Sequence, residues 1–394
     1  MWASAKNRLV LDYGAIAAKM TDDRPAKEGA KDKSRIANIS AIAPVDNDLW
    51  TASDEGASIE RLTRGTARFS RAENFDLVKL FPAFKAANEK ISGREGAAKR
   101  PEADLEGLAW DEDSRRLWLV GSHCRSRGSL DKVKPAQLRK RVGRALDTAP
   151  LRTLLGFVPL CDDGRPASNS GLALPLGGEK GSLRAAIEGE GDYLADALKW
   201  PAKENGLDIE GIAVDDTDIL LGLRGPAAGG FAIIMRLSVE IGNKALSLRK
   251  RNGQRYRLSF LQLNGLGIRD LVRKGDDVLV LAGPSMDLDA PFALYRWRGA
   301  FARASSKDEK VKIGTGHLEF LFDFEPAKRL AEAGRVHPCE RPEGIGLVDE
   351  SKLIVVHDRP YEWRLRPNGT LTVDLMDLPE ADEPRRRAGK RTAP

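Results

Sequence analysis

Three glutamates in this chain each stand directly before a glycine inside nearly the same phrase. Glu106 lies in "DLEGLAWD", Asp104 to Asp111, Glu210 in "DIEGIAVD", Asp208 to Asp215, and Glu343 in "RPEGIG", from Arg341. Two degenerate copies carry other residues at that place: Ser40 in "NISAIA", and Arg269 followed by Asp270 in "GIRDLV". If the copies share one structural role, the three carboxylates converge. At about 6 Å and an effective dielectric near 20 they would repel by roughly 3 kcal/mol per pair, so something must neutralise them or raise their pKa values. A divalent cation (Ca²⁺, Mg²⁺ or Mn²⁺) held by Glu106, Glu210, Glu343 and Asp270 is one answer, because such hard ions take oxygen ligands. Forked bonds from the interleaved Arg269, Arg224 and Arg359 are the other, and Arg125 stands past the end of a second run as well. The same arginines are candidates to bind an anionic ligand. His123 and His357, two of only four histidines, are candidates to move a proton.

The elements that would position these residues can be read from the runs on the C-terminal side of each phrase. Every copy leads through a short polar turn into a second apolar run: "DLWTASD", "LWLVGSH", "ILLGLRG", "VLVLAGP" and "LIVVHDR". Third runs come next in "FAIIMRLS", "FALYRWRG" and "YEWRLR". Serial hairpins of this kind predict an all-β fold, a β-propeller. Five blades are visible, and a degenerate sixth has room between Leu151 and Trp200. From Ser40 to Glu343 the third positions are 66, 104, 59 and 74 residues apart, more than the roughly 40–50 a blade needs. Helical insertions are therefore expected, at Phe84–Ile91, Pro135–Leu146, Ser182–Leu198 and Pro326–Glu332. The N-terminal run "RLVLDY" is expected to close the last blade beside "LTVDLM", sealing otherwise exposed sheet edges.

If first strands line the axis, their starts and the ends of the second strands share one rim. Ser40 to Asp54, Glu210 to Arg224 and Glu343 to His357 are each fourteen residues apart, and Glu106 to His123, across a longer turn, is seventeen. One channel mouth is thus expected to gather Glu106, Glu210, Glu343, Arg269 and Asp270 with Asp54, His123, Arg125, Arg224, His357, Asp358 and Arg359. A purely structural role suits the Glu-Gly phrase too, with the glycine beside a crowded axis and the glutamate bonding a neighbouring blade.

With 41% hydrophobic and 31% charged residues, the composition is that of a globular domain. The start "MWASAKNRLVLDYG" has no signal-like apolar stretch and no later run is long enough to span a bilayer, so a cytoplasmic location and no membrane contact are expected. Cys124, Cys161 and Cys339 are isolated, with no paired spacing for zinc or redox chemistry. The net charge of +6 owes much to "RRRAGKR", Arg385 to Arg391. Residues 1–378 read as one domain and 379–394 as a disordered basic tail. Without interleaved aromatics, that tail argues against nucleic-acid binding. Trp50, Trp110, Trp118, Trp297 and Trp363 read as packing between blades.

Together the phrases "DLEGLAWD", "LWLVGSH", "NGLDIEGIA", "LLGLRGP" and "RPEGIGLVD" resemble a bacterial family of domains of unknown function, the one numbered thirty-six sixteen, from about Ile36 to Arg366. The resemblance implies a propeller. More distantly, the Glu-Gly phrase is similar to that of the phytase-like esterase propellers and of the gluconolactonase and strictosidine-synthase group. In gluconolactonases a glutamate at this place ligates a divalent metal, which implies the same role for Glu106, Glu210 and Glu343. Leu108, Ile212 and Ile345 stand where that group has proline. The expectation is a propeller whose mouth binds a small anionic or metal-bridged ligand, as a hydrolase of esters or phosphoesters if it is an enzyme. The alternative is a non-catalytic scaffold for a protein partner.

Overall fold

In the computed structural model, the described residues are 2–3, 7–20, 34–95, 101–127, 133–143, 146, 149–286, 290–302, 307–324, 331–332, 335–336, 340–358 and 360–379. Each Glu-Gly phrase or its degenerate copy is the first strand of one sheet, because apolar side chains fill both faces of a strand packed between two neighbours. Blade 1 comprises Ile39–Val45, Asp48–Ser53, Ser58–Arg64 and Arg68–Asp76; blade 2 comprises Leu105–Asp111, Arg116–Gly121, Leu155–Pro159 and Leu172–Ala173. Blade 3 runs through Asp208–Asp215, Asp218–Gly225, Ala232–Ile241 and Tyr256–Leu261, and blade 4 through Gly267–Lys274, Asp277–Gly283, Ala293–Trp297 and Leu318–Phe324. Blade 5 combines Arg341–Asp349, Lys352–Asp358 and Thr370–Asp377 with the N-terminal strand Asn7–Asp12. The five first strands neighbour one another in a closed ring.

This is a five-bladed β-propeller, and among the described residues 151–200 hold no sixth blade. That stretch supplies the outer strands of blade 2 and the helices Leu183–Glu190 and Tyr193–Ala197. Other insertions form helices at Pro82–Glu95 and Leu138–Val142. The helix expected at Pro326–Glu332 lies mostly outside the described residues, and its end, Ala331–Glu332, pairs as a strand with Arg335–Val336. The third run of blade 5 also differs from expectation. "YEWRLR" is mainly a turn, closed by the Arg364 amide donating to the Tyr361 carbonyl at 2.8 Å, and the third strand is Thr370–Asp377. The buried Arg364 guanidinium holds this turn against Glu340 and Asp374. Trp363 is accordingly exposed, between Arg8 and Arg364, whereas Trp50, Trp118 and Trp297 are fully buried.

The hydrophobic core is divided among the five seams between blades. Ala41, Trp50 and Leu105 meet between blades 1 and 2, Trp118, Phe157 and Ile212 between 2 and 3, and Leu220, Ile268 and Trp297 between 3 and 4. Leu281 meets Ile345 between blades 4 and 5, and Ile42 meets Val356 between 5 and 1. The first strands approach so closely that the glycine after each glutamate has no room for a side chain. A Cβ on Gly211 would sit 2.8 Å from the Leu271 amide nitrogen, and one on Gly344 would sit 2.8 Å from the Ser40 carbonyl oxygen. The strand Asn7–Asp12 runs antiparallel to Thr370–Asp377 and also pairs through Val10 and Leu11 with Arg68 and Phe69 of blade 1. It therefore fuses the last and first blades into one nine-stranded sheet. No described helix is long and apolar enough to cross a membrane.

Candidate functional site at the channel mouth

At the start of every first strand the ladder skips one residue, and the skipped residues are Ser40, Glu106, Glu210, Arg269 and Glu343. A bulge leaves its residue unpaired and re-aims the side chain; repeated in all five blades, it sends one side chain per blade toward the axis. One carboxylate oxygen from each of Glu106, Glu210 and Glu343 lies within 4.8 Å of the other two. Three blades thus meet at one point.

Two guanidiniums are threaded among them. Arg224, from the end of the second strand of blade 3, contacts Glu210 at 2.6 Å and also Asp208. Arg269, from blade 4, contacts Glu210 at 2.9 Å and reaches Glu343 as well. Glu106 has no guanidinium partner among the described residues, and Oε2 of Glu343 is buried without a hydrogen bond. Asp104 extends the cluster: it accepts from the Ser122 hydroxyl and lies 3.6 Å from Arg152. Among the described residues acidic groups outnumber basic ones here, since Asp54, Asp104, Glu106, Asp208, Glu210, Glu343 and Asp358 act on one another against Arg152, Arg224 and Arg269. Burial is the main force on the carboxyls. It pushes Glu210 and Glu343 up to about 7 and Asp208 up to about 6 despite their guanidinium partners. Glu106 is raised well above the usual carboxylate range by burial and then by Glu210.

Other residues singled out from the sequence lie elsewhere. The Asp270 carboxylate accepts the Leu271 amide at 2.7 Å and the Ile345 amide at 2.8 Å. It clamps blade 4 to blade 5 instead of joining the glutamates. His123 and His357 also point away, each for a countable reason. The turn between Asp111 and Arg116 is two residues longer than that between Asp215 and Asp218, not three. The counterpart of Arg224 in blade 2 is therefore Ser122. His123, one residue on, has left the strand at φ 55° with Nδ1 2.9 Å from the Gly121 carbonyl. In blade 5 a second bulge between Leu347 and Asp349 makes Asp358 the counterpart, and His357 lies 3.6 Å from Asp374 on the third strand. A one-residue slip turns a strand side chain to the opposite face. Burial lowers both histidines to about 4. Arg125 acts electrostatically on Arg184, whose guanidinium donates to the His123 carbonyl at 2.7 Å. Arg359 lies outside the described residues. The sequence reading passed over Asp104 and Asp208 as site residues, although both open the repeated phrase itself.

A family described as "Protein of unknown function (DUF3616)" matches residues 38–374, and the chain belongs to it. No curated protein matches the chain. Among solved structures it is similar to Pseudomonas fluorescens PhoX in complex with vanadate, at 11% identity and TM-score 0.37, over 96% of this chain and 97% of that one. It is also similar to Myxococcus xanthus glutaminyl cyclase, at 10% identity and TM-score 0.36, over 87% of this chain and 93% of that one. Kuenenia stuttgartiensis hydrazine synthase is similar at 10% identity and TM-score 0.34 over 86% of this chain, which spans 61% of that longer one.

Proposed function

We propose that this DUF3616 propeller holds a divalent cation at its channel mouth through Glu106, Glu210 and Glu343, and presents it to a small anionic ligand. The observation that carries the reading is the convergence of three bulged carboxylates from three blades within 4.8 Å. An all-oxygen donor set suits a hard cation. A spread of that size fits oxygens on either side of Ca²⁺, at about 2.3–2.6 Å each, better than those around Mg²⁺ at about 2.0–2.1 Å. Among the described residues Glu343 Oε2 is buried without a hydrogen bond and Glu106 has no guanidinium partner, so both can turn to an ion. Arg224 and Arg269 fix the rotamers of Glu210 and Glu343 before any ion arrives.

A cation bound there would polarise a phosphoryl or carbonyl oxygen, which makes ester or phosphoester hydrolysis the reaction class if the ligand is turned over. The chain itself would contribute positioning, through Arg224 beside the cation ligands. Neither histidine reaches the cluster, so neither takes part.

Calorimetric titration with CaCl₂, MgCl₂ and MnCl₂ tests the reading. Wild type should bind Ca²⁺, and Glu106→Gln, which leaves every arginine pair intact, should bind it at least tenfold more weakly. Absence of heat with all three ions, or undiminished binding by the variant, would refute it. One observation favours a second reading, a non-catalytic scaffold for a protein partner. Arg269 joins Glu210 to Glu343 and so ties blades 3, 4 and 5 without an ion. Under that reading, EDTA and added cations leave thermal unfolding unchanged.

A further inference from the structure

Far from the channel mouth, at the outer rim of blade 3, lies a pocket of about 300 Å³ walled by arginines. Its lining includes Arg236, Arg249, Arg251, Arg255 and Arg257, with Tyr256 beside them and no carboxylate. Strand polarity separates the two places. The second strand of blade 3 runs from Asp218 to Gly225 at the mouth, and Arg251 pairs with Asp218 at the opposite end.

The pocket is built, not an accident of loose side chains. An Asn252-Gly253 hairpin with φ 51° and 85° reverses the chain between Arg251 and Gln254, which exchange backbone hydrogen bonds of 2.9 and 3.2 Å. Both turn residues take the left-handed backbone that Asn-Gly favours. The buried Arg257 braces this turn from below, donating to the Arg251 carbonyl at 2.6 Å and the Tyr256 carbonyl at 2.9 Å. Arg236 is held over Trp297 and donates to the Ala300 carbonyl. The carboxylates that engage the pocket's residues do so from outside the lining. Arg251 pairs tightly with Asp218 at 2.7 Å, but Arg249 meets Glu240 only at 3.5 Å and Arg255 meets Glu190 only at 4.0 Å; Asp192 accepts from the Tyr256 hydroxyl. Contacts that long on half-exposed arginines are readily exchanged for a better acceptor.

We propose that this pocket binds a small phosphorylated metabolite through two adjacent phosphate groups. Guanidiniums recognise phosphate oxygens by paired, planar hydrogen bonds. With Arg236 and Arg257 held by backbone carbonyls, Arg249, Arg251 and Arg255 are the guanidiniums that can turn to an anion, enough to grip two adjacent phosphate groups, and a volume near 300 Å³ is at the lower end of small-ligand sites. The inference does not rest on the cation site, which lies at the other end of the blade.

The test is calorimetric titration of the full chain with inorganic pyrophosphate and inorganic phosphate, in EDTA so that no metal mediates binding. Wild type should bind pyrophosphate at least tenfold more tightly than phosphate. Arg249→Ala/Arg255→Ala should weaken pyrophosphate binding at least tenfold, and Arg251→Gln, made separately, should weaken it too. Glu106→Gln should bind pyrophosphate like wild type. The proposal is overturned if wild type does not bind pyrophosphate, if phosphate binds equally well, or if the arginine variants bind undiminished. Loss of binding through Glu106→Gln alone would also overturn it, by placing the anion at the channel mouth.

Discussion

Lowering the pH from 8 to 6 should release a bound cation from the channel mouth, by an amount the cluster itself sets. Glu210 and Glu343 are each pushed up to about 7 by burial. A cation takes only their ionised forms. For one such group the ionised fraction falls from about 0.9 at pH 8 to about 0.1 at pH 6, and for two the doubly ionised population falls about 100-fold, equivalent to about 2.7 kcal/mol. Glu106, also raised by burial, steepens the fall. Stability without the ion runs the other way. In the unfolded chain these carboxyls titrate near 4.5, so between pH 4.5 and 7 the folded chain holds the extra protons, and its stability declines as pH rises through that window. Calcium titrations at pH 6 and 8, in two buffers of different ionisation enthalpy, measure both affinity and proton release. The expected result is at least 100-fold weaker binding at pH 6, with about two protons released per ion there. Equal affinity at both pH values with no protons released would refute the reasoning, because the ion would then be bound away from these carboxyls.

Glu106→Gln should raise the stability of the ion-free protein at pH 8 by on the order of 1 kcal/mol, since it removes a carboxyl whose ionisation burial opposes and which has no guanidinium partner among the described residues; urea unfolding in EDTA reads this as a higher midpoint. Asp270→Asn should lower stability by about 1–3 kcal/mol in the same assay, because an amide cannot accept two backbone N–H groups as the carboxyl does. Calcium binding should persist in that variant, which separates a blade clamp from a ligand. Gly211→Ala should cost about 1–3 kcal/mol by overpacking against Leu271, seen as a lower melting temperature. His123→Gln and His357→Gln should leave calcium affinity unchanged by calorimetry, because neither ring faces the cluster.

The blades were legible because the repeated phrase marks a position, not just a strand. Each copy supplies the bulged residue, and in blades 2, 3 and 5 a glycine comes directly after it at the closest approach to the next blade. Both facts depend on local sequence alone. Closure by Asn7–Asp12 was readable too, since an apolar strand near one terminus and an unpaired edge near the other leave few partners. What failed was counting across turns. The turn between Asp111 and Arg116, one residue shorter than the spacing suggests, and one extra bulge near Val348 make Ser122 and Asp358, not His123 and His357, the counterparts of Arg224. Neither the longer turn of blade 2 nor the second bulge of blade 5 lies inside the repeated phrase, so the phrase does not mark them. Asp270 was misjudged for a related reason: whether a carboxylate beside a bulge faces the axis or the next sheet depends on the pleat of its own strand.

The stitch made by Asn7–Asp12 with Thr370–Asp377 has a consequence for biogenesis. During translation the ribosome delivers Asn7–Asp12 before all five blades and its partner Thr370–Asp377 after four of them. Until residues near Asp377 emerge, the nascent chain is an open arc, and the outermost strand of blade 1 has no Val10 or Leu11 settled against it. Sealing therefore waits for Thr370–Asp377, and the ring of blades closes only once that strand has joined Asn7–Asp12.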